Sequence, residues 1–501
     1  MEWLAGNISS KKAEIKFVSD SIFALASRLA PRIASTLLFI VLMRREGPAM
    51  AGAFSLSIAF LTSAVLLSSF GLDELIVREV AKEPSCSHQY LVNMLLLRGL
   101  LSLVGYGAIV GLVTLVLDYD SMVQSIILLQ GLGILPEGFM ATIFAVFNAN
   151  QKLNWMAFVT VCVSVFQLSV GGVALWMGAG LEMLIWILLS GSWLGAIVSI
   201  YLFNRFATNA CMTFPENESK RHWQPDWTFC KQQLKNTIPF AVVISLTSLD
   251  LQLDVILLSV LHNISAVGAY SAARMIVLLL SLIPQAIRMV IYPSMSYAYA
   301  TGEAEVRCVY EQSWYYLALT GLPLTLGGAI LAYPILSVVY HQVPVATMWA
   351  LRVLMLHLLV GFLYLPGTRL MVVSDHQIWL STMLAFSVSL NVLLNFLLVP
   401  YLGIVGASVA RATSSLVYFL SVELYVSGFI LPRHRGGQRA LKPLLAAILM
   451  AVTVWLLRKC ALYVVLPLGA LLYGLALLVL NSPLLKRQSL RRALGKWSLL
   501  V

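Results

Sequence analysis

Residues 234–293 read LKNTIPF AVVISLTSLD LQLDVILLSV LHNISAVGAY SAARMIVLLL SLIPQAIRMV IYP, two long apolar segments joined by the turn His262-Asn263-Ile264-Ser265. Each segment is long enough to cross the roughly 30 Å hydrocarbon core of a bilayer. Such a crossing carries Asp250, Asp254 and Arg274 to its middle. Charge in hydrocarbon is costly, so residues of this kind line a bundle interior or a water-filled path and mark function. We read the three as the floor of a cavity.

The rest of the chain repeats the apolar pattern. Of 501 residues, 60% are hydrophobic and 11% charged, and the mean hydropathy is +0.87. That excludes a soluble domain and implies an all-α integral membrane protein. The net charge of +11 does not point to a nucleic-acid partner, because the basic residues sit mostly in short segments between spans rather than in a patch. Six cysteines, at positions 86, 162, 211, 230, 308 and 460, show neither a CxxC nor a His-rich tract, so no disulfide framework and no metal site is expected. The segment Met1 to Asp20 is too polar for a cleaved signal peptide.

Fourteen spans are expected, at about 21–43, 51–70, 91–117, 122–147, 153–176, 183–204, 238–261, 266–292, 314–340, 346–373, 378–401, 404–431, 443–457 and 461–480, the thirteenth being the shortest. They divide the chain into an N-terminal segment 1–20, a first lobe 21–204 of six spans, a linker 205–237, a second lobe 238–431 of six spans, and 432–501 with two further spans and a basic tail. With the N-terminus in the cytoplasm, 21 Lys and Arg fall on the cytoplasmic side, four outside (Arg44, Arg45, Arg458 and Lys459) and eight within spans. The positive-inside rule therefore puts both termini in the cytoplasm. Every outer segment is short, which leaves no room for an external catalytic domain and argues against an enzyme.

The lobes echo each other. Ala51-Gly52-Ala53-Phe54-Ser55 answers Val267-Gly268-Ala269-Tyr270-Ser271, and Trp155 after Asn150-Gln151-Lys152 answers Trp379 after Ser374-Asp375-His376. Six spans per half is an even number, so the halves are expected to be related by an axis along the membrane normal. Chance alignment of apolar helices is the alternative.

Gly71-Leu72-Asp73-Glu74, Arg78-Glu79, and Val267 to Arg274 followed by Ile291-Tyr292-Pro293 resemble the polysaccharide-exporter branch of the multidrug/oligosaccharidyl-lipid/polysaccharide (MOP) superfamily. The resemblance covers about Ser10 to Pro432. Its Wzx-type members flip polysaccharide or O-antigen units linked to undecaprenyl pyrophosphate across the bacterial inner membrane. It implies a MATE-like, V-shaped pair of six-helix lobes working by alternating access, with a cationic cavity for the sugar-pyrophosphate head. A MATE-type multidrug or cation antiporter and a lipid II-type flippase stay open as alternatives. Polymerase and chain-length proteins of the same pathway are the implied protein partners, and the two C-terminal spans are a candidate groove for the polyprenyl tail.

Within this chain the arginines are judged singly. Arg28 and Arg32, four apart, share a helix face, and Arg32 and Asp250 both lie roughly 18 Å from the cytoplasmic edge. Arg274 enters from outside and reaches the same level. The planar guanidinium forks of Arg32 and Arg274 suit a pyrophosphate; mutual neutralisation with Asp250 is the other reading. Arg98 and Arg288 extend the candidate substrate set, although they and Arg369 stand near cytoplasmic ends, where snorkelling to head groups also explains them. Arg352 and Arg411 lie near outer ends. Asp250 and Asp254 form a same-face carboxylate pair, a candidate site for coupling Na+ or H+, and Glu137 is either a proton acceptor or an arginine's partner. Asn391 and Asn395 are expected to bridge helices. Prolines 31, 239, 284 and 366 mark places where spans bend. No other cofactor is expected.

Overall fold

The computed structural model describes residues 23, 26–83, 87–209, 227–341, 343–432, 434–458 and 460–480; these are helices and short connections without a strand. The N-terminal segment, most of the linker and the basic tail of the sequence reading lie outside them. The helices are α1 (Ala26–Arg45), α2 (Gly47–Ser69), α3 (Leu72–Lys82), α4 (Ser87–Gly111), α5 (Ser121–Gly131), α6 (Ile134–Ala149), α7 (Leu153–Trp176) and α8 (Leu181–Asn209). Then follow α9 (Trp227–Leu261), α10 (Ile264–Leu280), α11 (Leu282–Thr301), α12 (Glu303–Ile330), α13 (Ala332–Tyr340) and α14 (Val345–Leu363). The chain ends with α15 (Leu365–Val373), α16 (Gln377–Tyr425), α17 (Gly436–Leu456) and α18 (Leu462–Val479).

Eleven helical segments are long and apolar enough to cross a membrane, or twelve if α12 and α13, which meet at 71°, form one span. The count by length and apolarity is thus eleven or twelve rather than fourteen. The difference lies in two places. Gln377–Ile430 counts once but doubles back at Gly403, whose backbone is non-helical (φ 55, ψ −129). Ser387 Oγ donates to the Ser414 carbonyl at 2.9 Å across that turn, so the halves run antiparallel. Trp227–Leu261, which holds the expected seventh span, is a further helix of 35 residues. The thirteenth span is also longer than expected at 21 residues, against 18 for the last. It starts early because Gly436, where a Cβ would meet the Trp314 ring at 2.8 Å, lets the chain enter the helix in contact with α12.

Several spans are broken rather than bent, and proline explains each break. Helices restart at Ile134, Leu282, Ala332 and Leu365, with Pro136, Pro284, Pro334 and Pro366 in their first turns. A first turn has no intrahelical partner for the N–H that proline lacks, so the ring is tolerated there and not in the preceding turn. Pro31 and Pro239 lie in helices that run on without a break.

Contacts divide the chain into compact units on either side of Gly268/Ala269. The sequence reading put that division in the linker; instead α9 packs on α2, α3 and α4 in the first unit. In that unit α3, missed by hydropathy, is an amphipathic helix with Asp73 and Glu74 in its first turn and Lys82 in its last, charges that complement the helix dipole. Its Leu72, Ile76 and Val80 are fully buried against Met94, Phe147 and Phe203. Phe70 and Gly71, both left-handed (φ 45 and 80), turn the chain from α2 into it.

The echoed pentapeptides meet. A Cβ on Gly52 would collide with the Ile264 carbonyl, and one on Gly268 with the Pro48 carbonyl. Backbones this close admit only glycine, the membrane counterpart of a small-residue crossing. In the second unit Ala446, Ala447, Met450 and Val454 of α17 and Val465 and Tyr473 of α18 form one core with Ala318 and Leu322 of α12, and Tyr473 Oη donates to the Leu319 carbonyl at 2.8 Å. Outward faces carry bare Leu115, Trp176 and Tyr401, as lipid-facing helices do.

Candidate functional site

In the first unit the charged side chains have distinct surroundings. On α1, Arg28 is exposed and Arg32 half-buried. The Arg32 carbonyl accepts Ser35 Oγ at 3.1 Å and Thr36 Oγ1 at 2.7 Å, just past Pro31. Asp254 is 2% exposed and Asp250 half-buried, both on α9. Arg32, Asp250 and Asp254 all have interaction partners.

Arg98 departs from both readings made of it. Its side chain is 1% exposed, so it neither faces a cavity nor snorkels to head groups. Nη1 pairs with Asp73 Oδ1 of α3 at 3.1 Å, Nη2 reaches the Val65 carbonyl at 3.4 Å, and Nε is buried without a hydrogen bond. It ties α4 to α3 and α2. Asp73 belongs to a motif visible in the sequence, but its partner is set by tertiary packing; the local signal is an acid opening an amphipathic helix beside the third span.

Glu137 stands in the first turn of α6, at the break in the fourth span, where a helix N-terminus favours a carboxylate. It makes no hydrogen bond or ion pair among the described residues, so no arginine fills the second role open to it.

The second unit holds two basic clusters. In one, His357 of α14 bonds Ser415 Oγ through Nδ1 at 2.7 Å, and the charges that bear on it are Arg411 and Arg274. Arg411 is 8% exposed and Arg274 half-buried. His357 escaped the sequence reading because an isolated histidine in an apolar run has no local signature. Behind it Asn395 Nδ2 donates to Asn391 Oδ1 at 3.1 Å and Asn391 Nδ2 to Ser414 Oγ at 3.3 Å, linking the two halves of α16 as expected. In the other cluster Arg369 of α15 is surrounded by Arg288, Tyr292, Tyr418 and Tyr364. Arg352 instead lies over Trp349 at 4.6 Å and donates to the Ala329 carbonyl at 3.3 Å.

Acids of this unit are largely engaged elsewhere. Glu423 accepts Tyr310 Oη at 2.8 Å and lies 3.0 Å from His434 Nε2; Glu311 holds Arg439 at 2.9 Å and the Arg435 N–H at 2.9 Å. An apolar groove of about 660 Å³ on α8, lined by Trp186, Leu189, Trp193 and Ile197, includes none of the candidate charges.

The fold is that of MOP-superfamily transporters. The lipid II flippase MurJ in an inward closed conformation is similar over 92% of this chain and 99% of its own, at 14% identity and a TM-score of 0.74. An inward-facing MATE-family multidrug transporter follows over 81% and 98%, at 13% identity and a TM-score of 0.64. A MOP-superfamily transporter from Pyrococcus furiosus, described by the reversed polarity of its binding pocket, matches over 83% and 96%, at 14% identity and a TM-score of 0.56. The model of the polysaccharide biosynthesis protein family matches residues 17–298, and the chain belongs to that family. A search of curated proteins finds no match. The protein is thus a multi-pass membrane transporter of flippase type, related to transporters rather than enzymes.

Proposed function

We propose that the protein flips an oligosaccharide linked to undecaprenyl pyrophosphate across the bacterial inner membrane by alternating access, with both termini in the cytoplasm. Arg28, Arg32, Arg274 and Arg288 receive the anionic head, and Asp250, Asp254 and Glu137 couple transport to H+ or Na+. Binding offsets the penalty of closing protein around charge, and no bond is made or broken.

One imbalance carries this reading. Within the expected spans of the second unit stand Arg274, Arg288, Arg352, Arg369 and Arg411 against a single acid, Glu423, already engaged by Tyr310 and His434. A cavity for cationic drugs would call for the opposite sign. A net positive set of spans favours an anionic cargo over a cationic one.

The test replaces Arg32 and Arg274 by Ala together, with surface polysaccharide and the lipid-linked intermediate measured beside membrane protein level. Accumulation of intermediate at normal protein level is expected. Full export by the double variant would overturn the proposal.

A further inference from the structure

The connection between α16 and α17 is fastened to its surroundings by two carboxylates, and they differ in what they hold. Glu311 of α12 accepts the Arg435 N–H at 2.9 Å and Arg439 Nε at 3.0 Å. A guanidinium stays charged at any working pH, so this bolt is fixed. Glu423, near the end of α16, accepts Tyr310 Oη at 2.8 Å through Oε2, and its Oε1 lies 3.0 Å from His434 Nε2. Histidine is the side chain that changes charge between about pH 5 and 8, so this second bolt answers to a proton.

The imidazole stands between two partners that call for different protonation states. The Gly436 N–H, an orphan donor at the start of α17, donates to Nδ1 at 3.3 Å, which requires that nitrogen to be bare and the ring neutral. In that state Nε2 is buried and makes no hydrogen bond among the described residues, because its N–H points off the line to Glu423 Oε1. A buried N–H without an acceptor is costly. A proton on Nδ1 reverses the balance: Coulomb attraction needs no directed N–H, so Glu423 then holds an imidazolium at 3.0 Å, while Nδ1–H meets the Gly436 N–H donor to donor and that bond is lost. One proton thus moves the hold of the ring from α17 to α16. Tyr310 keeps the site in shape in either state, its hydroxyl on Glu423 and its ring edge to face with the imidazole at 4.9 Å and 69°.

The groups nearby leave the choice to His434. On α12, Glu311 is occupied and Arg307 pairs with Glu303 at 2.7 Å. On α15, Gly367 stands against Tyr310 Oη, where a Cβ would lie 3.7 Å away, and Arg369 makes no hydrogen bond or ion pair with the three among the described residues. On α16, His376 and Tyr425 stack on each other at 5.6 Å. On α17, Arg439 is held by Glu311, and Lys442 is exposed.

We propose that Tyr310, Glu423 and His434 form a proton-binding site in which protonation of His434 releases the first turn of α17 and fastens the connection to α16, so that H+ sets how the α17–α18 pair is joined to the second unit. The site is distinct from Asp250, Asp254 and Glu137. It rests on the flippase reading only for its side of the membrane, the cytoplasmic one.

The native sequence carries a reporter for it. Arginine precedes glycine only at Arg98–Gly99 and Arg435–Gly436, so carbon-13 in arginine carbonyls with nitrogen-15 in glycine selects two amides of the full-length protein in lipid bilayers. Nitrogen-15 histidine reads the ring. As pH falls from about 8 to 5, Nδ1 of His434 should gain a proton and the Gly436 signal should move with it, while Gly99 stays in place. His434→Gln identifies the ring signal by its loss and should leave Gly436 indifferent to pH. Glu423→Gln, which decides if the first variant fails to fold, should keep Nδ1 bare over the same range. Glu311→Gln should alter the Gly436 signal at every pH and keep its response. A wild-type Gly436 signal that ignores pH, one that moves without a proton on Nδ1, a response that survives His434→Gln, or one lost with Glu311, overturns the site. A pH step on one face of sealed proteoliposomes tests its placement: a response from the outer face alone overturns the cytoplasmic orientation and leaves the site standing. The flippase reading falls separately, through unimpaired export by the Arg32/Arg274 double Ala variant.

Discussion

Arg98 and Arg369 look alike in sequence, each an arginine a few residues inside the end of an apolar run, yet the two units treat them oppositely. Around Arg98, α3 supplies Asp73 at 3.1 Å and the pair closes with the guanidinium 1% exposed. Around Arg369 phenols and a second arginine gather instead. The difference teaches that intramembrane position does not assign a charge its role; the counter-ion does. Where the fold provides an acid, the arginine holds helices together. Where it provides none, the charge is left for something that arrives.

The sharpest way to break this contrast is to remove the first arginine. Arg98→Ala leaves Asp73 without its partner and opens a cavity between α2, α3 and α4. Taking one member from a buried pair costs several kcal/mol; because Asp73 keeps 30% of its exposure and part of its hydration, about 3 kcal/mol is expected. Thermal unfolding of the purified protein measures it, and an unchanged midpoint would erase the distinction. Replacing Arg98 and Asp73 together by Met and Leu should recover much of the loss, since an apolar pair avoids the desolvation penalty.

The second test is the mirror image. Arg369→Ala should not lower stability appreciably, because it removes a guanidinium whose Nε is buried without an acceptor. Export should nevertheless fall about ten-fold, equivalent to one lost charge-assisted hydrogen bond. A variant that unfolds while exporting normally per folded molecule would place Arg369 with Arg98.

The contrast also shows what the sequence contained. Class, family and the positions of spans were legible: Leu153–Trp176 came out with its observed ends, and the pentapeptides around Gly52 and Gly268 proved to share one crossing. Hydropathy averages over a window and treats each span as a rod, so it passed over the breaks at Ile134, Leu282, Ala332 and Leu365. The prolines that announce them were visible, but a proline bends or breaks a span according to whether a new first turn can start beneath it, and that depends on packing. Helix α3 was missed because its apolar face is only half of an 11-residue segment. Losing α3 meant losing Asp73, and with it the meaning of Arg98. Pairing between distant helices is a tertiary fact, and the same gap hid His357.

Packing and charge around Arg98 are separated by Gly138, where a Cβ would lie 3.1 Å from Arg98 Nε and 3.2 Å from Ser102 Oγ. Gly138→Ala keeps every charge and presses on Arg98 and the neighbouring Ser102 hydroxyl. A cost of about 1 kcal/mol is expected, within the range for overpacking a fitted site. A loss as large as that of Arg98→Ala would mean that fit, not the ion pair, holds this layer.

The smallest effect marks the other end of the scale, an ion pair in the same helix as Asp73 but open to water. Burial works against the Glu79 carboxylate, yet hydrogen bonds from Arg78 and Lys82 outweigh it and hold the group below its ordinary value of 4.5. A carboxyl lowered on folding contributes stability above 4.5 and loses it as pH falls through the folded value. Its partners are 48% and 65% exposed, so solvent screening leaves well under about 1 kcal/mol. Glu79→Gln should therefore lower stability at neutral pH by well under about 1 kcal/mol and converge on the wild type as pH falls below 4.5, which flattens the acid limb of the pH–stability curve. A neutral-pH loss approaching that of Arg98→Ala would show that exposure does not divide the two pairs, and with it the argument from Arg98 to Arg369 would lose its footing.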